Sequence, residues 1–157
     1  MRRTRMKRAS IMSMRNRTRS NHTAKKIKSC VKNTKSTVVE NFIELLNMVK
    51  IYHWNTHSFA QHKATDELHE RLSEHIDKFV EILLGKKEDR IKQLQSKIHL
   101  VNSKNKHSFR ERIYQYREYF IDMDNCFDKN KDTDLLNIRD EILGDINQFL
   151  YLLTFDK

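Results

Sequence analysis

Apolar residues return every three or four positions in four stretches of the chain, the spacing of helices that each bury one face. In the first stretch Val38, Val39, Phe42, Ile43, Leu46, Val49 and His53 keep that spacing, and Leu45, Met48 and Tyr52 widen the surface. Such breadth predicts burial on two sides, as for a bundle helix that also meets another subunit. The second stretch carries Leu68, Leu72, Ile76, Phe79 and Leu83. The third carries Phe109, Ile113, Tyr116, Phe120, Met123 and Phe127, and the fourth Leu135, Ile138, Ile142, Ile146, Phe149, Leu150 and Leu153.

End signals set the boundaries. Thr37-x-x-Glu40 and Ser58-x-x-Gln61 read as capping boxes, and Gly85 as a C-terminal stop. Helices are therefore predicted over about 37–56, 59–84, 108–127 and 132–155. The polar link 86–107 holds one short amphipathic run, Ile91, Leu94, Ile98 and Val101. Connections that run short, long, short place one crossover along the length of the molecule. The expected fold is all-α, a four-helix bundle with the single long crossover of ferritin-like proteins.

Composition sharpens the domain picture. The chain has no Pro, two Gly and 33% charged residues, which fits helices and leaves no room for a membrane span. Residues 1–36 hold 13 of the 31 Lys and Arg and no acid, so 37–157 carries 18 bases against 21 acids. The net charge of +10 thus belongs to an attachment. Residues 1–36 are expected to be a disordered basic tail and 37–157 the bundle. Arg2, Arg3, Arg5, Lys7, Arg8, Arg15, Arg17, Arg19, Lys25, Lys26 and Lys28 match nucleic-acid phosphates. An Arg- and Ser-rich organelle-targeting segment and a purely solubilising tail are the competing readings. Cys30 and Cys126 have no motif spacing and read as incidental thiols of a reducing, intracellular compartment.

Candidate chemistry gathers in residues 51–85, which contain five of the eight histidines. At 100° per residue, with His62 at 0°, Asp66 lies near 40°, Asp77 near 60° and Glu81 near 100°, whereas the core stripe falls at roughly 240–320°. The four share a face that turns away from the core. His62 with Asp66, and Asp77 with Glu81, are i, i+4 pairs of a kind that suits Fe(II), Zn or Mn. His53 ends the first helix across a tight turn from His62. Asp77, however, lies roughly 22 Å along the axis from His62. The residues form either scattered weak sites or one site shared across a two-fold dimer, and solvated charge is the ordinary alternative. No Glu-x-x-His occurs, which argues against a di-iron site inside one bundle.

The run Tyr52-His53-Trp54-Asn55, then His62-x3-Asp66, Asp77-x3-Glu81 and Leu83-Leu84-Gly85, resembles the Dps family of mini-ferritins. The resemblance is strong over 50–85 and otherwise one of hydrophobic pattern over 38–157. It implies a ferroxidase site with His53, His62 and Asp66 from one chain and Asp77 and Glu81 from its partner, acting on iron. Trp54 would pack beside it, and Glu67, Glu70 and Glu74 would be candidates for a mineral-nucleating wall. Implied partners are DNA, through the tail, and further copies, as two-fold dimers within a twelve-subunit shell. Three features depart from the family: a shorter loop between His53 and His62, His57 in place of a frequent Lys, and an unusually basic 86–107 link. His57, His69 and His75 read as surface, helix-face or interface residues. A non-enzymatic, architectural DNA binder with a vestigial metal site is the alternative.

Overall fold

The computed structural model describes residues 35–86, 88, 90–91, 100, 102–103 and 105–155. The basic segment 1–34, including every tail residue singled out for nucleic acid, lies outside the described residues, as does most of the expected link helix. Among the described residues there are four helices, α1 (Lys35–Asn55), α2 (Phe59–Gly85), α3 (Lys106–Asp122) and α4 (Thr133–Leu152). A 3-10 turn, Met123–Asn125, extends α3. There is no strand among the described residues, and no described helix is long and apolar enough to cross a membrane.

Two expected boundaries are corrected. The first helix is already formed at Lys35, so Thr37 sits inside it and is not its cap. The third helix begins at Lys106, because Asn105 and Ser108 form a reciprocal capping box, with Ser108 N–H donating to Asn105 Oδ1 at 2.9 Å. Ser58 caps α2 as expected: its hydroxyl accepts from Gln61 N–H.

Every stripe residue of α2 and α4 is buried, and so is that of α3 as far as Met123. On α1 the broad apolar surface is used mostly within the chain: Leu45, Met48 and Tyr52 are core, while Ile43 and Leu46 are half-buried. Phe42 links three helices, edge-on to Phe79 at 5.2 Å and stacked on Phe120 at 5.6 Å.

Contacts fix the helix directions. α1 and α2 form a tight hairpin. The end of α1 meets the start of α3 (Tyr52 on Phe109, 3.8 Å), and its first half meets the end of α3 (Phe42 on Phe120). α3 is therefore antiparallel to α1. Lys86, just past α2, pairs with Asp134 at the start of α4 at 2.8 Å, and Arg71 reaches Gln148 near its end at 2.6 Å. α4 is antiparallel to α2. α2 and α3 therefore point the same way. Asn55 Nδ2, at the end of α1, donates to Asn102 Oδ1 at 3.3 Å.

A further polar device holds the end of α3. Arg139, 7% exposed, donates to the Phe120 carbonyl at 3.0 Å and pairs with Asp124 at 2.6 Å, closing the last turn of α3. Cys126 is half-buried just past the 3-10 turn that extends α3. The other cysteine, Cys30, lies outside the described residues.

Burial pushes the Tyr119 hydroxyl up to about 12, with the Asn41 amide opposing, and pushes Tyr116 well above the usual phenol range. The folded chain holds these protons longer than the unfolded chain. Stability is therefore full below the ordinary tyrosine value and falls as pH rises through it. Denaturant titrations at pH 9 and pH 11.5 are expected to show a decline of about 1.4 kcal/mol per pH unit above roughly 10 for each such tyrosine. Tyr119→Phe makes the decline shallower, and an unchanged slope would contradict the assignment.

Candidate metal centre

The chain reverses between α1 and α2 within residues 56–58, and this brevity brings the last turn of one helix against the first turns of the next. Thr56 N–H bonds back to the Tyr52 carbonyl at 2.9 Å, and the Tyr52 hydroxyl and Thr56 Oγ1 both donate to Gln61 Oε1. Together with the Ser58 cap, these bonds fix the turn.

On this base His53 and His62 lock together. His53 Nδ1 lies 3.0 Å from the His62 carbonyl, and His62 Nδ1 lies 3.0 Å from the His53 carbonyl. Their rings stack at 3.8 Å between centroids, 25° apart. A carbonyl can only accept, so both Nδ1 atoms carry the proton. In the neutral rings both Nε2 atoms keep their lone pairs, the state in which imidazole ligates metals. The His53 carbonyl is also one of the orphan acceptors at the end of α1, so the His62 ring caps that helix. His53 is buried and His62 exposed. Thr65, fully buried, donates to the Gln61 carbonyl at 2.7 Å and sits 3.4 Å from His53 Nδ1, which supports the inner ring.

Asp66 completes the local group, with Oδ1 3.7 Å from His53 Nε2. Its partner in the chain is Lys50, at 3.2 Å. The hydrogen bond from Lys50 holds the Asp66 carboxyl below its usual range, helped by the charges of Lys50, His53 and Lys63. Burial, then the Lys50 charge, hold His69 below the ordinary histidine range. Lys50 is the participant that spacing did not reveal: it is 16 residues from Asp66 and meets it only through the hairpin. A cation taken up at Asp66 Oδ1 competes with that ammonium.

Asp77 and Glu81 are exposed on the same helix but are not brought to this group. Fifteen residues of helix separate Asp77 from His62, roughly 22 Å. Among the described residues no group of three or more His, Cys, Asp and Glu side chains is placed to hold a metal ion. One chain thus brings His53 beside His62 and beside Asp66 without forming a three-ligand group, and leaves Asp77 and Glu81 apart. His75 is taken up by Asp145 of α4, Nδ1 to Oδ2 3.0 Å, with Arg71 on the other oxygen at 3.5 Å, and so belongs to helix packing. Around the group lie two exposed rings, Trp54 at 69% and Phe59 at 79%.

The imidazole geometry has a spectroscopic consequence. Nitrogen-15 NMR of the neutral side chains is expected to show the Nδ1–H tautomer for both His53 and His62, and an Nε2–H signal from either ring would contradict the clamp.

No curated protein matches the chain, and neither does any solved structure. A family model described as Family of unknown function (DUF5856) matches residues 53–153, from the first histidine of the clamp to the last core leucine of the C-terminal segment. The chain belongs to that family.

Proposed function

We propose that this protein is a Dps-like mini-ferritin with a ferritin-like four-helix bundle, which binds and oxidises Fe(II) at sites shared between two copies. The carrying observation is the reciprocal His53–His62 clamp, which protonates both Nδ1 atoms and leaves both Nε2 lone pairs for a ligand beside Asp66. The helix directions support the fold reading, since a single long return between two parallel helices is the ferritin-like connection.

Iron is the substrate in this reading. His53 and His62 offer nitrogen and Asp66 oxygen. Asp77 and Glu81 of a second copy, with its α2 antiparallel to the first, add the carboxylates that favour the higher charge of Fe(III). Two-fold symmetry places one such site at each end of the paired helices. Each of two ferrous ions gives one electron to peroxide, which takes up two protons and leaves as two waters, so no hydroxyl radical is released. The exposed Trp54 and Phe59 rings, beside the half-site, are surfaces that a second copy covers. Ferric iron is then stored as mineral, with the exposed Glu67, Glu70 and Glu74 as nucleating carboxylates. The basic segment 1–36 holds DNA, and several tails in one assembly multiply weak phosphate contacts into avidity.

One observation favours a second reading, a non-enzymatic DNA-binding protein with a vestigial metal site. Asp66 is already neutralised by Lys50.

Subunit mixing tests the shared site. His53→Ala/His62→Ala protein and Asp77→Ala/Glu81→Ala protein are each expected to lose peroxide-driven Fe(II) oxidation. Co-refolding them in equal amounts should restore about a quarter of the wild-type sites, because half the dimers are mixed and each mixed dimer regains one of two sites. No recovery in a dimer shown to be mixed would remove the shared-site reading, and full activity in either parent would do the same.

Truncation addresses the tail. Removing residues 1–36 is expected to abolish the DNA mobility shift, and the full-length shift should weaken steeply between about 50 and 200 mM salt. A shift that survives truncation would place the DNA contact on the helices.

A further inference from the structure

One face of α3 is basic and carries no acid. At 100° per residue with Arg110 at 0°, Arg117 lies near −20°, Ile121 near 20°, Tyr114 near 40° and His107 near 60°. The closest acids, Glu118 and Glu111, fall near 80° and 100°, and the buried stripe of α3 falls at roughly −120° to −60°.

Two observations set this face apart from ordinary solvated charge. First, Tyr114 gathers two guanidinium groups from neighbouring turns. The Cζ atoms of Arg110 and Arg117 lie 5.4 and 4.8 Å from its ring centroid, and Arg110 Nη2 donates to the Tyr114 hydroxyl at 3.0 Å. The ring holds both cations in place, and an anion that meets both relieves their mutual repulsion. The carboxylate at hand is a poor competitor: Glu118, 61% exposed, contacts Arg117 at 3.0 Å, a surface pair of little strength. Arg117 keeps 32% of its side chain exposed, and the exposed His107 and Ile121 extend the face. The second observation is position. Residues 1–34 join the described chain at Lys35, and the first half of α1 packs on the end of α3, where Arg117 lies. A polyanion held by the basic segment therefore starts at the Arg117 end of this face.

We propose that the Arg110–Tyr114–Arg117 face of α3 is a second nucleic-acid contact, gripping the phosphate backbone of a duplex whose principal hold is the tail. Guanidinium forks match phosphate oxygens, and such contacts position a duplex without reading its sequence. The inference rests on the reading that residues 1–36 hold DNA, and position favours that polyanion over an acidic protein. Two phosphate contacts are too few to hold a duplex alone, so the shift is still lost when the tail is removed.

Mobility shifts of the full-length protein on a mixed-sequence duplex, over a series of salt concentrations, test this. Arg110→Gln/Arg117→Gln is expected to lower the slope of log affinity against log salt by about 1.8, as for two lost phosphate contacts. Glu118→Gln releases Arg117 and should tighten binding, a gain that no loss of folding produces. Lys63→Gln/Lys78→Gln removes the same charge from the exposed face of α2 and should leave the slope at its wild-type value. The proposal is overturned if the arginine variant keeps the wild-type slope, or if the lysine variant loses as much, which would assign the effect to general charge. Displacement of the duplex by poly-glutamate as readily as by unlabelled duplex of equal charge would assign the face to an acidic protein instead. A wild-type chain that does not shift the duplex removes the tail reading too, whereas an unaltered arginine variant removes this inference alone.

Discussion

The tight reversal between α1 and α2 is the constraint on which the rest depends. Three residues leave no slack, so the last carbonyls of α1 must find donors in the first turns of α2. The chain meets this with side chains: His62 caps the His53 carbonyl, His53 returns the bond, and Gln61 collects two hydroxyls. A geometry required for satisfying backbone groups also fixes the tautomers of two imidazoles. Structural and chemical roles therefore reside in the same atoms, and altering one ring disturbs both.

The second organising feature is the distribution of charge. Basic residues lie in the N-terminal segment and beside the start of α3, while the exposed face of α2 is rich in carboxylates. Inside the fold, ions are used sparingly and as clasps. Lys86 ties the end of α2 to Asp132 and Asp134, Arg139 closes α3, and Asp145 holds Arg71 and His75 across α2 and α4. Each joins a helix end or a long-range neighbour. None replaces the apolar core.

Much of this was legible in the sequence, for physical reasons. Long helices, with roughly five to eight turns, average out local noise, so the stripes of α2 and α4 mark the core without error. Boundaries were less legible. Thr37 looked like a cap, but Thr and Glu are also ordinary in a first turn, and the helix starts earlier. Asn105 with Ser108 escaped notice because the third pair member of the familiar box is an acid or amide, not a serine. At the candidate site, spacing grouped His62 with Asp66 and separated Asp77 and Glu81 from them. It could not show Lys50 on Asp66 or the reciprocal imidazole bonds, since each depends on residues brought together only by folding.

The direction of the helices also governs how the chain reaches this arrangement. α1 with α2, and α3 with α4, are neighbours in sequence and close as local hairpins, events of microseconds. Joining them is different: Arg71 meets Gln148 from 77 positions away and His75 meets Asp145 from 70. That step must close the entire return segment before any long-range contact rewards it. Topology therefore places the largest loop-closure cost on the contacts between the two hairpins, and the charged clasps between α2 and α4 belong to those contacts.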